Sequence, residues 1–313
     1  MVLSSFRILE MELDYHPELR GITVNRPPLK LLQDVPFPAW VADNWETVTN
    51  FQAKPDDLLI ATFPKSGSTW MQEIVDLICR NGDVGMCKRA PVYYRVPILE
   101  FFMNNILPTG TDLLAKMASP RVMKTHLPIQ LVPKSFWEQD CKTIFIARNA
   151  KDSLVSYFHF HNSCHLLPEP GTWQEFSQKF MDGQVSWGSW YDHVKGWWEA
   201  KDKHRILFLF YEDIKEYPRR EILKVAKFME KVLEEDVIEK IVQSSSFNIM
   251  KDNPMANYGT LPASVMNQNI SRFMRKGEVG DWKNHFTVSQ NEDFDEHYAR
   301  QMVHSSVKFR NVL

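Results

Sequence analysis

The chain has 313 residues, 44% apolar and 24% charged, a composition that suits a soluble globular protein and excludes a disordered one. Lys and Arg number 37 against 39 Asp and Glu, for a formal charge of −2. No overall field draws the chain to nucleic acid or to an anionic membrane, and any anion must be met by locally clustered cations. No apolar run reaches the length of a membrane span, and Arg7, Glu10 and Glu12 interrupt the stretch where a signal peptide needs apolar residues. The four cysteines, Cys79, Cys87, Cys141 and Cys164, have no C-x-x-C spacing and make no disulfide framework, so reduced thiols in a cytoplasmic protein are expected.

Pro27, Pro28, Pro36 and Pro38 break any long helix in residues 1–50, which read as an arm or lid packed on the main body, residues 51–313. Residues 58–63 are apolar without alternation, as a strand buried on both faces should be. The loop 64–69 follows, then a helix from Trp70, with Trp70, Ile74, Leu77 and Ile78 on its inward face. Residues 121–126 read as a strand with a polar end. Residues 143–147 are another buried strand, followed by Arg148, Asn149 and a helix through Ser156. Residues 206–211 are a further strand, followed by a helix opened by Pro218 and carrying Ile222, Ala226 and Met229. This alternation predicts a single α/β domain with a central parallel β-sheet flanked by helices on both faces. Ligands of such sheets bind beyond the carboxyl ends of the strands, where every polar cluster of this chain falls.

The strongest cluster is FPKSGSTW, residues 63–70. Gly67 lets backbone approach a ligand, Ser66, Ser68 and Thr69 offer hydroxyls, Lys65 adds a charge, and the first helical N–H groups are unpaired. Together they form a P-loop-like site for phosphate or sulfate. The Walker pattern itself is absent, and a capped strand-to-helix turn is the plainer alternative. Lys124 and His126, two apart on a strand, share a face; the imidazole can take a proton at neutral pH, although a strand-end His is often a surface residue. Arg148 with Ser156, and the turn Arg275-Lys276-Gly277, look like phosphate clamps, the latter also readable as a solvated loop. Two such sites suit a nucleotide phosphorylated at both ends of its ribose. His159, His161, Cys164 and His165 suggest a metal, but no partner ligands adjoin them; packing roles are expected and no metal site is assigned.

These clusters, in this order, resemble the cytosolic sulfotransferases, the phenol-sulfating branch most closely. The similarity runs from about residue 50 to the C-terminus through SPRVMKTHLP, IFIARNAKDSLVSYFHFH, NPMANYGTLP and FMRKGEVGDWKNHFTVSQNE. Phe63, Ser68, Phe158, Ser245 and Arg272 depart from the usual residues, and none removes a catalytic group. The resemblance implies 3′-phosphoadenosine 5′-phosphosulfate as donor and adenosine 3′,5′-bisphosphate as product. It implies that Lys65, Ser66, Gly67, Ser68, Thr69 and Trp70 hold the 5′ end. Arg148, Ser156, Arg275, Lys276 and Gly277 would hold the 3′-phosphate, and Trp70, Tyr211, Ser245 and Phe247 the adenine. It implies His126 as general base, assisted by Lys65 and Lys124, with Ser156 restraining Lys65 until an acceptor arrives. Tyr93, Ile98, Phe101, Lys124, His126, Phe160, Val265 and Met266 would line the pocket of a small lipophilic hydroxyl or amine acceptor. The segment 283–292 matches the family's dimer motif, K-x-x-x-T-V-x-x-x-E, which implies a homodimer through Lys283 to Glu292. A metal-dependent nucleotide kinase and a non-catalytic nucleotide-binding protein are the alternatives.

Overall fold

The computed structural model describes His16, Leu19 and residues 21–102 and 107–313; the earlier part of the arm, with Arg7, Glu10 and Glu12, lies outside the described residues. The arm contains an antiparallel hairpin, β1 (Leu29–Leu32) and β2 (Val35–Pro38). Its two turn residues, Gln33 and Asp34, both have positive φ, 47° and 64°, the backbone that a tight hairpin needs. Sequence reading saw only helix-breaking prolines here. A two-stranded ribbon accommodates Pro36 and Pro38 because each strand has a free edge.

The main sheet has four parallel strands, β3 (Leu58–Thr62), β4 (Val122–Thr125), β5 (Lys142–Ala147) and β6 (Ile206–Phe210), in the order β4-β3-β5-β6. Central β3 is buried throughout, which explains its unbroken apolar run. Alternate residues feed two cores. Leu59, Ala61 and Phe145 face one; Leu58, Ile60, Ile144 and Ile146 face the other. The second core is closed by α1 (Ser68–Cys79), through Met71, Ile74, Val75 and Ile78, and by a later helix, Pro218–Phe228. The first is closed by α2 (Ala150–Ser163) and by α3 (Trp190–Ala200), which buries Trp190 and Trp197 completely.

Two details differ from expectation. Helix α1 begins at Ser68, two residues early, with Gly67 as its N-cap; half-buried Trp70 packs against the second core and meets Tyr211 edge-on there. Strand β3 stops at Thr62, so Phe63 leaves the sheet and packs among Tyr157, Phe180 and His193. Chain order β3, β4, β5, β6 against spatial order β4-β3-β5-β6 puts the reversal of winding between β3 and β5. The loop with Lys65 leaves β3 there, and Arg148 leaves β5 beside it.

Candidate active site

The loop after β3 turns through two left-handed residues, Lys65 at φ 68° and Gly67 at φ 105°. Gly67 must be glycine for a second reason: a Cβ there would lie 2.9 Å from Cδ2 of Tyr211. The turn delivers the unpaired amides at the start of α1 into a cavity of about 390 Å³. Around it the hydroxyl of Thr69 and the indole N–H of Trp70 are buried without a hydrogen-bond partner. Buried polar atoms are rarely left so, and these fit an anionic ligand with several acceptor oxygens.

Lys65 extends its ammonium between two rings, 3.8 Å from the centroid of Phe273 and 4.3 Å from that of Phe160. Burial, and next the charge of Lys124, lower its pKa to about 7. Lys124 is itself buried and donates to Ser68 Oγ at 3.5 Å.

His126 follows the last residue of β4. Its Nδ1 lies 2.8 Å from the carbonyl oxygen of Thr62 and 3.1 Å from the Thr62 hydroxyl. A carbonyl can only accept, so Nδ1 carries the proton and Nε2 keeps a bare lone pair. Burial first, then Lys124, push its pKa well below 6.5, so the ring is neutral at physiological pH. Glu100 supports it from behind, accepting from the backbone N–H of His126 at 2.7 Å, the Thr125 hydroxyl at 2.9 Å and the Trp187 indole at 3.2 Å. The Trp187 ring in turn meets the imidazole edge-on. Burial raises the Glu100 carboxyl despite these hydrogen bonds.

Arg148 donates to the carbonyls of Lys65, at 3.3 Å, and Glu278, at 2.9 Å, and stacks 4.3 Å from the centroid of Tyr211. It thereby ties the first loop to the turn at 275–277. Arg275 and Lys276 in that turn both pair with Asp281, a carboxylate that sequence reading did not assign. Burial disfavours the Asp281 anion, but hydrogen bonds from Lys276, Asn284 and Arg275 outweigh it and hold the carboxyl well below its usual range. Gly277, at φ 66°, lies against Phe247, and a Cβ would come within 2.2 Å of that ring.

Every residue assigned from sequence lines this one cavity except Ser66, which is fully buried beneath the loop. Lys65, Lys124 and His126 share the cavity with an apolar wall formed by Ile98, Phe101, Phe160, Val265 and Met266. Tyr93 belongs to the wall, but its hydroxyl is engaged by His16, at 2.8 Å, and Thr260, at 2.7 Å. Ser245 donates to the Ile241 carbonyl at 2.7 Å and keeps lone pairs for accepting. The histidines of the HFHNSCH stretch disperse: His161 bonds the Pro168 carbonyl, His165 the Ser264 carbonyl, and His159 packs on His285. Among the described residues no three His, Cys, Asp or Glu side chains are grouped to hold a metal. Sequence reading missed Trp40, Trp187, Tyr258 and Phe273 in the cavity wall, and Glu100 behind it. Only Phe273, beside the basic turn, had a local signal.

An anion loop at the reversal of a parallel sheet, a second cation cluster and a neutral imidazole facing an apolar chamber define a group-transfer site. The chain belongs to the sulfotransferase family: the family's model, a sulfotransferase domain, matches residues 55–306. The chain is 57% identical to human sulfotransferase 1C2 over 267 residues, 85% of this chain and 90% of that one. It is 52% identical to rat sulfotransferase 1A1 over 286 residues, 91% of this chain and 98% of that one. The crystal structure of mouse sulfotransferase SULT7A1 complexed with adenosine 3′,5′-bisphosphate superimposes with a TM-score of 0.72 at 30% identity, over 88% of this chain and 95% of that one. The chain is therefore a sulfotransferase, and the kinase alternative is not favoured.

Proposed function

We propose that the chain transfers the sulfuryl group of 3′-phosphoadenosine 5′-phosphosulfate to the hydroxyl of small lipophilic acceptors, phenols first. The observation that carries this is the commitment of His126 Nδ1 to Thr62, which leaves Nε2 as a neutral base in the same cavity as the buried Lys65 ammonium. The 64–70 loop holds the 5′ end of the donor; Arg148, Ser156 and the 275–277 turn hold its 3′-phosphate. Trp70, Tyr211 and Phe247 clasp the adenine, whose amino group Ser245 can accept from.

His126 Nε2 takes the phenolic proton as the phenol oxygen bonds to sulfur in line with the breaking sulfur–oxygen bond. Lys65 neutralises the charge left on the phosphate oxygen, and Lys124 orients the sulfuryl oxygens. Ser156, half-buried in the cavity wall, restrains Lys65 until the acceptor is seated. Aromatic and aliphatic walls favour flat apolar acceptors and disfavour charged ones, so steroids and arylamines are further candidates. Residues 1–50 act as an arm or lid over the domain of residues 51–313. The 283–292 segment makes a homodimer, a reading supported by Val288, which is 76% exposed. Four free cysteines, three of them buried, fit the cytoplasm, and no described helix is long and apolar enough to cross a membrane. The test is transfer from labelled donor to 2-naphthol with excess EDTA. Labelled naphthyl sulfate is expected; tight nucleotide binding without a labelled product would instead mark a non-catalytic binding protein.

A further inference from the structure

Arg26 lies in the arm, before the family-matched residues begin at 55, and its side chain is only 14% exposed. Its guanidinium sits where the end of α2 runs into the following loop. One terminal nitrogen, Nη1, lies 2.7 Å from the carbonyl oxygen of His161, 3.1 Å from that of Cys164, 3.0 Å from that of Leu167 and 3.4 Å from that of Pro168. The other, Nη2, donates to the Asn162 carbonyl at 3.1 Å, and Nε pairs with Glu169 at 2.6 Å.

The last carbonyls of a helix have no partner within it, and they carry the negative end of its dipole. Here five carbonyl oxygens gather around one point, two of them with a second donor, His161 Nδ1 for Pro168 and the Leu167 N–H for Cys164, and a cation among them offsets their repulsion. Arg26 supplies that cation with a fan of donors. A second arm residue, Trp40, donates its indole N–H to the Leu166 carbonyl at 2.8 Å, while its ring joins the cavity wall against Phe101. With their carbonyls held by the arm, Cys164, Leu166 and Leu167 present side chains to the cavity. The same helix places Phe160 against the Lys65 ammonium.

We propose that Arg26 is a positioning residue that sets acceptor specificity, by gathering the carbonyls at the end of α2 so that the 164–167 wall keeps its shape. The nucleotide end does not depend on it, because its loops are anchored by β3, β5 and the 275–281 turn. The inference rests on the assignment of this wall to the acceptor, made above.

The experiment compares wild type, Arg26→Gln and Arg26→Lys. It reads the KM for 2-naphthol and for a bulkier steroidal phenol, the Kd for adenosine 3′,5′-bisphosphate, and calorimetric binding of 2-naphthol to the enzyme saturated with that nucleotide. Arg26→Gln is expected to raise the acceptor KM by about tenfold, less than the roughly 100-fold that a misplacement of about 1 Å can cost. It should also change the preference between the two phenols and leave the nucleotide Kd within about twofold of wild type. Arg26→Lys, which keeps the charge but has three donors from a single point, should recover part of the loss. If Arg26→Gln does not fold, Arg26→Lys carries the comparison alone, with a smaller shift in acceptor KM at constant nucleotide Kd. Equal loss at both ends, or no change at either, overturns the proposal. Wild type that binds 2-naphthol in calorimetry but forms no naphthyl sulfate would sink the assigned reaction and leave this inference to be read from binding.

Discussion

Raising the pH above 7 should loosen the hold of the protein on adenosine 3′,5′-bisphosphate, and Lys65 is the reason. Its burial beside Lys124 brings an ordinary lysine pKa of 10.5 down to about 7 in the free protein. The difference, 10.5 minus 7, amounts to roughly 5 kcal/mol set against the buried ammonium. A bound phosphate adds the missing counter-charge and raises that pKa again, so the nucleotide binds the protonated form. Affinity from this residue is flat below about 7 and falls by about tenfold per pH unit above it, until the pKa of the complex is passed. Calorimetric titration between pH 7 and 9 stays clear of the phosphate's own titration near 6. Lys65→Arg, charged throughout, should flatten the curve. A wild-type Kd that stays constant from pH 7 to 9 would refute the reasoning. The free protein should also gain stability as pH rises from about 7 towards 10.5, because the unfolded chain then retains a proton that the folded one has released.

Gly277→Ala places a Cβ 2.2 Å from the Phe247 ring at a residue with φ 66°. The backbone alone costs about 1–2 kcal/mol, and Phe247 must move within the cavity wall; if Phe247 holds the adenine as proposed, nucleotide Kd should rise at least about tenfold, and an unchanged Kd in calorimetry would remove it from that role. Glu100→Ala takes the acceptor from three donors at once. It should cost on the order of 3 kcal/mol in a denaturant melt and lower kcat more than nucleotide affinity, because Trp187 and His126 lose their common support. A kcat equal to wild type would show that His126 is held without it.

Legibility from sequence followed the range of the interactions. The 64–69 loop is local: one turn between a strand and a helix contains the glycine, the hydroxyls and the lysine, so adjacency in sequence is adjacency in space. Lys124 and His126 were readable from strand alternation, and the parallel sheet from its buried apolar runs. Asp281 was not readable as the partner of Arg275 and Lys276, because an exposed-looking acid after a glycine has many uses. Trp187 lies 87 residues from Glu100 in sequence, and Arg26 lies more than 130 residues from the carbonyls it gathers. Such contacts exist only once the two cores are packed. The arm's hairpin was hidden because its turn, Gln33-Asp34, lacks the glycine that usually marks one.

The most direct measurement of the central claim is single-turnover sulfuryl transfer by His126→Ala, run beside calorimetric binding of adenosine 3′,5′-bisphosphate. With Nε2 as base and the nucleotide held by other residues, transfer to 2-naphthol should fall by about 100-fold or more, while nucleotide Kd stays within about threefold of wild type. Near-normal transfer by the folded variant would contradict the account.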